Sequence, residues 1–163
     1  MNACHKTLLA VLVTILTACG GGGGGEAAPS LRQYAGLWKS PCFVINNSLS
    51  GQTVLRIKDG TASGNALRGS WESSLYPNTQ CSGAASGTEW YYLDGTAKGT
   101  RETSAGLANK VEWGFSSPNV GTPPSPYGQL MVLKDGLLYL GDRSHIADDG
   151  YPSDVDLSIA WTR

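Results

Sequence analysis

From Leu31 onward, glycine or proline interrupts the chain so often that the longest stretch free of both is the eleven residues 153–163. An average helix needs about eleven or twelve residues, and these two residue types are the least tolerated inside one, so long helices have almost nowhere to form. Strands of about five to eight residues fit between the interruptions. The spacing therefore predicts an all-β domain.

Apolar periodicity agrees. Val155, Leu157, Ile159 and Trp161 alternate with Asp156, Ser158, Ala160 and Thr162, the period of two expected of a strand with one buried face. Leu67, Gly69, Trp71, Ser73 and Leu75 alternate in the same way with Arg68, Ser70 and Glu72. The apolar runs 129–133 and 137–141 flank Lys134-Asp135-Gly136, and Asp-Gly between two such runs is a strong hairpin signal. Residues 53–58 before Asp59-Gly60 repeat the device, and 37–40, 88–93 and 110–115 complete the set. About eight antiparallel strands in chain order make a small up-and-down barrel or a sandwich. A closed barrel leaves no exposed edges and is the expected form. A barrel of about eight strands is just wide enough either to be filled by its own side chains or to enclose one small ligand.

The amino terminus carries a different message. Lys6 is followed by the apolar run 8–16, interrupted only by Thr14. A helix of about ten residues spans about 15 Å, half a bilayer's hydrocarbon core, so the run reads as the apolar centre of an export signal. Leu16-Thr17-Ala18-Cys19 resembles the lipobox of bacterial lipoproteins: a branched apolar residue, two small residues, then cysteine. That resemblance implies cleavage after Ala18, a diacylglycerol on the Cys19 thiol and acylation of the new amino group. Two or more acyl chains hold a protein at a membrane far more firmly than one, since each buried CH₂ contributes about 0.8 kcal/mol.

Six glycines, Gly20 to Gly25, and the linker 26–30 follow. Glycine loses too much entropy on ordering for such a tract to hold one backbone path, so it is a tether. Gly20, where enteric lipoproteins retained at the inner membrane carry aspartate, favours the outer membrane by the same resemblance, with the domain in the periplasm. The expected organisation is thus signal peptide 1–18, lipidated cysteine and linker 19–30, and β-barrel domain 31–163. Without Lys6 the mature part holds 11 basic against 13 acidic residues, a net charge of −2 with histidine neutral. Nucleic-acid binding through phosphate contacts asks for a basic excess that is missing here.

Cys42 and Cys81 are the two cysteines left once the signal and the anchor are assigned, and in an oxidising envelope they are expected to pair. Trp38-Lys39-Ser40-Pro41-Cys42, Cys81-Ser82-Gly83 and Leu138-Tyr139-Leu140-Gly141-Asp142 resemble a pattern of small bacterial lipoproteins to which no activity attaches. Gly36-Leu37-Trp38 is also similar to the G-x-W of lipocalins, in which the first-strand tryptophan closes the barrel floor beneath a basic residue from the last strand. That resemblance implies a lipocalin-like barrel in which Trp38 and Arg163 form a cation–π contact of about 1 kcal/mol. The chain departs from lipocalins in having no recognisable helix before the last strand and no second family motif.

Trp71, Trp90, Tyr92, Trp113 and Phe115 are the candidate ligand-binding residues, because concave sites are lined by such side chains; the competing expectation is that they fill the barrel. His145, in Asp142-Arg143-Ser144-His145, is the one histidine of the mature chain, but nucleophilic triads converge in space and seldom form between adjacent residues. Asp142, Asp148, Asp149, Asp154 and Asp156 lack the D-x-D-x-D-G spacing of a calcium loop, and turn chemistry accounts for aspartates beside glycine and proline. No phosphate-binding glycine loop occurs. The expected protein is a non-enzymatic, membrane-anchored envelope lipoprotein without cofactor or metal, binding a small apolar molecule or an envelope partner. The alternative is a structural or inhibitory interaction module with a filled core, working through loops such as 116–127 with Pro118, Pro123, Pro124 and Pro126.

Overall fold

A computed structural model describes residues 30–59, 64–117 and 124–163. Eight strands form one antiparallel sheet: β1 (Gly36–Lys39), β2 (Phe43–Asn46), β3 (Leu49–Asp59), β4 (Ala66–Tyr76), β5 (Gly87–Thr103), β6 (Gly106–Ser116), β7 (Tyr127–Lys134) and β8 (Leu137–Leu140). The order is β1-β3-β4-β5-β6-β7-β8, with β2 paired to β3 alone. β1 and β2 share one edge of β3: β1 lies against Val54 to Ile57 and β2 against Leu49 to Gly51. Between them Ser40 continues the ladder, its N–H donating to the Thr53 carbonyl (2.9 Å) and its Oγ accepting from the Thr53 N–H (2.9 Å).

The sheet curls into a nearly closed barrel. Two residues near the carboxyl end bridge the seam. Trp161 exchanges backbone hydrogen bonds with Leu138 of β8 (2.9 and 3.0 Å), and Thr162 does the same with Lys39 of β1 (2.7 and 3.0 Å).

The Lys134-Asp135-Gly136 hairpin forms as its sequence predicts: Lys134 pairs with Leu137, and Asp135 and Gly136 take φ of +54° and +79°, the left-handed pair that a tight two-residue turn requires. Gly60 lies outside the described residues, although β3 and β4 pair from Asp59↔Leu67 onward.

The expected strand 155–161 is a correction. Only Val155, Trp161 and Thr162 make isolated bridges, to Gly141, Leu138 and Lys39 respectively, while Leu157 and Ile159 stand 45% and 44% exposed. The Asp156 carboxylate accepts from the Ser158 N–H (2.8 Å) and hydroxyl (2.5 Å), and this local turn outcompetes the ladder. The eighth strand is instead β2, whose four residues are all exposed.

β5 runs through two glycines that read as breaks in the sequence. At Gly95, on the inner face, a Cβ would lie 2.7 Å from Leu67 Cδ1 and 3.0 Å from Val111 Cγ1, so the bare backbone is what lets those side chains meet. Gly99, with φ +114°, sits in the register shift between Ala97 and Thr100.

The inner face buries one apolar cluster, including Leu55, Ile57, Leu67, Leu93, Val111, Trp113, Met131 and Leu138. One end is sealed. A single 3-10 turn (Arg32–Tyr34) crosses it, the Tyr34 hydroxyl donates to the Met131 carbonyl (2.6 Å), and Trp38 Nε1 donates to the Tyr34 carbonyl (2.7 Å). Burial raises the Tyr34 phenol above its ordinary range, which keeps it a neutral donor. The Arg163 guanidinium lies 4.6 Å from the Trp38 ring centroid and donates to the carbonyls of Gln33 (3.4 Å) and Ala35 (3.3 Å).

Outside the barrel wall a smaller cluster of Ala108, Leu130, Val132 and Val155 is covered by Tyr139 and Tyr151. The covering segment is clamped by Asp149, which pairs with Arg101 (2.6 Å) and Lys110 (2.8 Å). At the end away from Trp38, a disulfide joins Cys42, before β2, to Cys81, after β4, with Cα atoms 5.7 Å apart.

Candidate functional site at the barrel mouth

Strand alternation decides which aromatic residues meet. Leu93 is buried on the inner face of β5, so Tyr91, two positions earlier, faces inward too, while Trp90 and Tyr92 face outward. On β6, Val111, Trp113 and Phe115 share the inner face in the same way. The structure therefore brings together Trp71, Trp113 and Phe115 of the five candidate residues, and sends Trp90 and Tyr92 to the opposite face of the sheet.

Three residues not singled out from the sequence join the inner group: Tyr91, Tyr127 and Trp161. Trp71 meets Trp113 (5.8 Å between centroids), Phe115 (6.4 Å) and Trp161 (5.5 Å). Phe115 contacts Tyr91 (6.0 Å) and stacks on Tyr127 (5.6 Å). Such offset and edge-to-face pairs stabilise beyond simple burial by about 0.5–1.5 kcal/mol each, and they hold the rings rigidly. Trp113 is fully buried, and its Nε1 has no hydrogen-bond partner among the described residues. Trp71 Nε1 donates to Ser73 Oγ (2.9 Å).

Three rings of this cluster border an open cleft of about 380 Å³ at the barrel mouth. Trp71, Tyr127 and Trp161 supply aromatic walls, Leu140 and Ile159 aliphatic ones, and Asp142, Arg143 and Asp156 the polar rim. The Arg143 guanidinium lies 3.6 Å above the Tyr127 ring centroid. Burial raises the Tyr127 phenol, with Arg143 acting in the opposite sense. Asp142 is held down at about 2, first by the Ser144 hydroxyl (2.6 Å), then by the Ser144 N–H and by His145. The rim therefore presents a fixed carboxylate beside a stacked cation.

Compared with family models, with curated proteins and with solved structures, the chain matches none.

Of the remaining sequence candidates, Asp142 and Asp156 stand on the cleft rim and the others fall elsewhere. Asp142, Ser144 and His145 do touch, but the Ser144 hydroxyl (2.8 Å) and the Asp142 carboxylate (3.2 Å) both reach the same ring nitrogen, Nδ1, and the imidazole is 76% exposed. A nucleophile relay needs one ring nitrogen for the hydroxyl and the other for the carboxylate, and a water-excluded site; this is a turn motif on an exposed loop. The acidic residues near the carboxyl end disperse. Asp149 pairs with Arg101 and Lys110, Asp154 accepts from the Ser104 N–H (2.9 Å) and hydroxyl (3.0 Å), and Asp156 serves Ser158. Among the described residues no cluster of histidine, cysteine and carboxylate side chains is arranged to hold a metal ion. Pro118 and Pro123 lie outside the described residues, as do Cys19, the glycine tract and the segment expected to be an export signal.

Proposed function

We propose that this chain is an envelope lipoprotein, anchored through Cys19, whose barrel is a non-enzymatic binding module that takes a small, partly apolar ligand at its mouth. The observation that carries this reading is the contrast between the two ends of the barrel. Tyr34, Trp38, Trp113 and their neighbours occupy the interior and the floor, whereas Trp71, Tyr127 and Trp161 keep aromatic surface facing an open cleft. A mostly apolar concavity with a few placed polar groups is the usual form of a small-molecule site. Its rim suits a ligand with a ring or alkyl body and both a hydrogen-bond donor for Asp142 and an acceptor for Arg143.

The described chain begins at the sealed end. There the Leu31 N–H donates to the Gly64 carbonyl (2.6 Å), and Asn109 Nδ2 donates to the Ser30 carbonyl (3.4 Å). A tether entering at that end would leave the mouth facing away from the bilayer.

Native mass spectrometry of the protein recovered from its own cells tests the proposal. The expected result is a retained small molecule that is lost on Trp71→Ala or Ile159→Asp; a mass equal to that of the acylated polypeptide alone, with no tryptophan-fluorescence response to a metabolite extract, would refute it. Membrane attachment is tested separately by Cys19→Ser, which should release the protein into the soluble fraction.

A second reading, an interaction module with a solid core, is favoured by β2. Among the described residues it is hydrogen-bonded on one side only, and it exposes Phe43, Val44 and Ile45 at 47%, 61% and 47%. Such an edge can accept a partner strand.

A further inference from the structure

The two aromatic residues that the strand alternation turns outward have their own surroundings. On the outer face of β3, β4 and β5 the register sets three rows: Val54-Glu72-Trp90, Arg56-Ser70-Tyr92 and Lys58-Arg68-Asp94. Neighbouring strands lie about 4.8 Å apart, so a row spans about 10 Å. The rings of Trp90 and Tyr92 meet edge-on at 4.3 Å, and Tyr92 is 49% exposed. Across from them stand Arg56 and Lys58, neither in an ion pair among the described residues, and Arg68, whose one partner is the exposed Asp94 at 3.4 Å. Together these residues line a shallow groove of about 480 Å³. Positive charge thus gathers on one wall of a protein whose total charge is slightly negative.

We infer that this groove is a second binding site, separate from the mouth, for an acidic polysaccharide. A pyranose ring has an apolar C–H face that stacks on an exposed aromatic, a rim of hydroxyls, and in a uronate one carboxylate. Trp90 and Tyr92 provide the stacking surface, and Arg56 and Lys58 provide the charge about 10 Å away across the sheet. The central pair, Ser70 and Glu72, separates this surface from a nucleic-acid platform. A carboxylate in mid-groove accepts hydrogen bonds from the free ring hydroxyls that flank each uronate carboxylate, donors that a deoxynucleotide backbone does not offer. Arginine supports the assignment, because its planar fork matches a carboxylate in two parallel hydrogen bonds.

The test measures binding of polygalacturonate to the full chain held in a neutral detergent at about 0.15 M salt, where purely long-range attraction is screened beyond about 8 Å. Neutral dextran, poly-glutamate and a single-stranded oligodeoxynucleotide serve as comparison probes. The expected result is saturable binding of polygalacturonate and none of dextran. Arg56→Glu/Lys58→Glu should weaken it at least tenfold, since two attractive pairs become repulsive. Tyr92→Ala, at a position 49% exposed, should weaken it about three- to tenfold. Ile159→Asp, in the mouth, should leave it unchanged, so that failure of this inference and failure of the mouth reading are distinguishable. Absence of binding, or binding indifferent to both groove variants with thermal melts unchanged, overturns the inference. Tighter binding of poly-glutamate or of the oligodeoxynucleotide overturns it in favour of that class.

Discussion

Removing the Cys42–Cys81 bridge gives a quantitative test of how the end of the barrel that carries β2 is held. The bridge spans a sequence separation of 39 residues. Closing a loop of that size in the unfolded chain removes entropy worth about 4 kcal/mol at 25 °C. Unfolding entropy for the roughly 130 residues of 31–163 is about 0.28 kcal/mol/K, so the loss corresponds to a Tm lower by about 14 °C. Cys42→Ser/Cys81→Ser keeps the packing nearly unchanged, and a serine at position 81 retains the backbone N–H that donates to Ser50 Oγ (3.0 Å). Calorimetry of the two proteins measures the shift, and hydrogen exchange locates it. All four β2 residues are exposed and bonded to β3 alone, so amides 43–46 should lose protection first. A Tm shift below about 4 °C, with exchange altered only at 43–46, would refute the reasoning, because β2 would then detach without the bridge having constrained the unfolded chain as a whole.

Other consequences are as direct. Gly95→Val should cost about 1–3 kcal/mol in chemical denaturation, because the added atoms meet Leu67 and Val111 in a filled interior. Arg163→Ala should lower stability by about 1 kcal/mol through loss of the guanidinium over Trp38, whereas Arg163→Lys should recover only part, read as urea midpoints. Asp142 and Asp149 both sit at about 2, below the ordinary 3.8, Asp149 chiefly through Lys110. The folded state therefore binds fewer protons than the unfolded, so their stabilisation is complete above about pH 5 and is lost as the pH falls toward about 2. Urea midpoints should be flat from neutral down to about pH 5 and then fall, and Asp149→Asn should make that acid limb shallower.

The regular part of the barrel is legible because its signals are local. Asp135-Gly136 specifies a turn whatever surrounds it, and the alternation of Leu67 through Leu75 assigns an inner face. Misreadings arise where local and long-range preferences compete. Residues 155–162 alternate as cleanly as any strand, yet Asp156 finds Ser158 two residues away and turns the chain back. Phe43 to Ile45 is an unbroken apolar run with no alternation, so β2 has no period to detect; its signal lies in Asn46, whose side chain accepts from the Ser48 N–H (2.9 Å) and sets the turn into β3. In Trp90-Tyr91-Tyr92 composition alone cannot say which rings face in. Leu93, Gly95 and Ala97 carry that answer by parity, and following them back along the strand selects Tyr91. The mouth itself was out of reach, because Tyr127, Arg143 and Trp161 come from three segments that only barrel closure brings together.

That closure has a temporal side. Trp161 and Thr162 stitch β8 to β1, so a nascent chain has no cylinder to complete until residue 162 has been made. Until then the sheet is a curled ribbon with bare hydrogen-bonding groups along both margins, and its first and last staves can find each other only after synthesis has passed the whole domain.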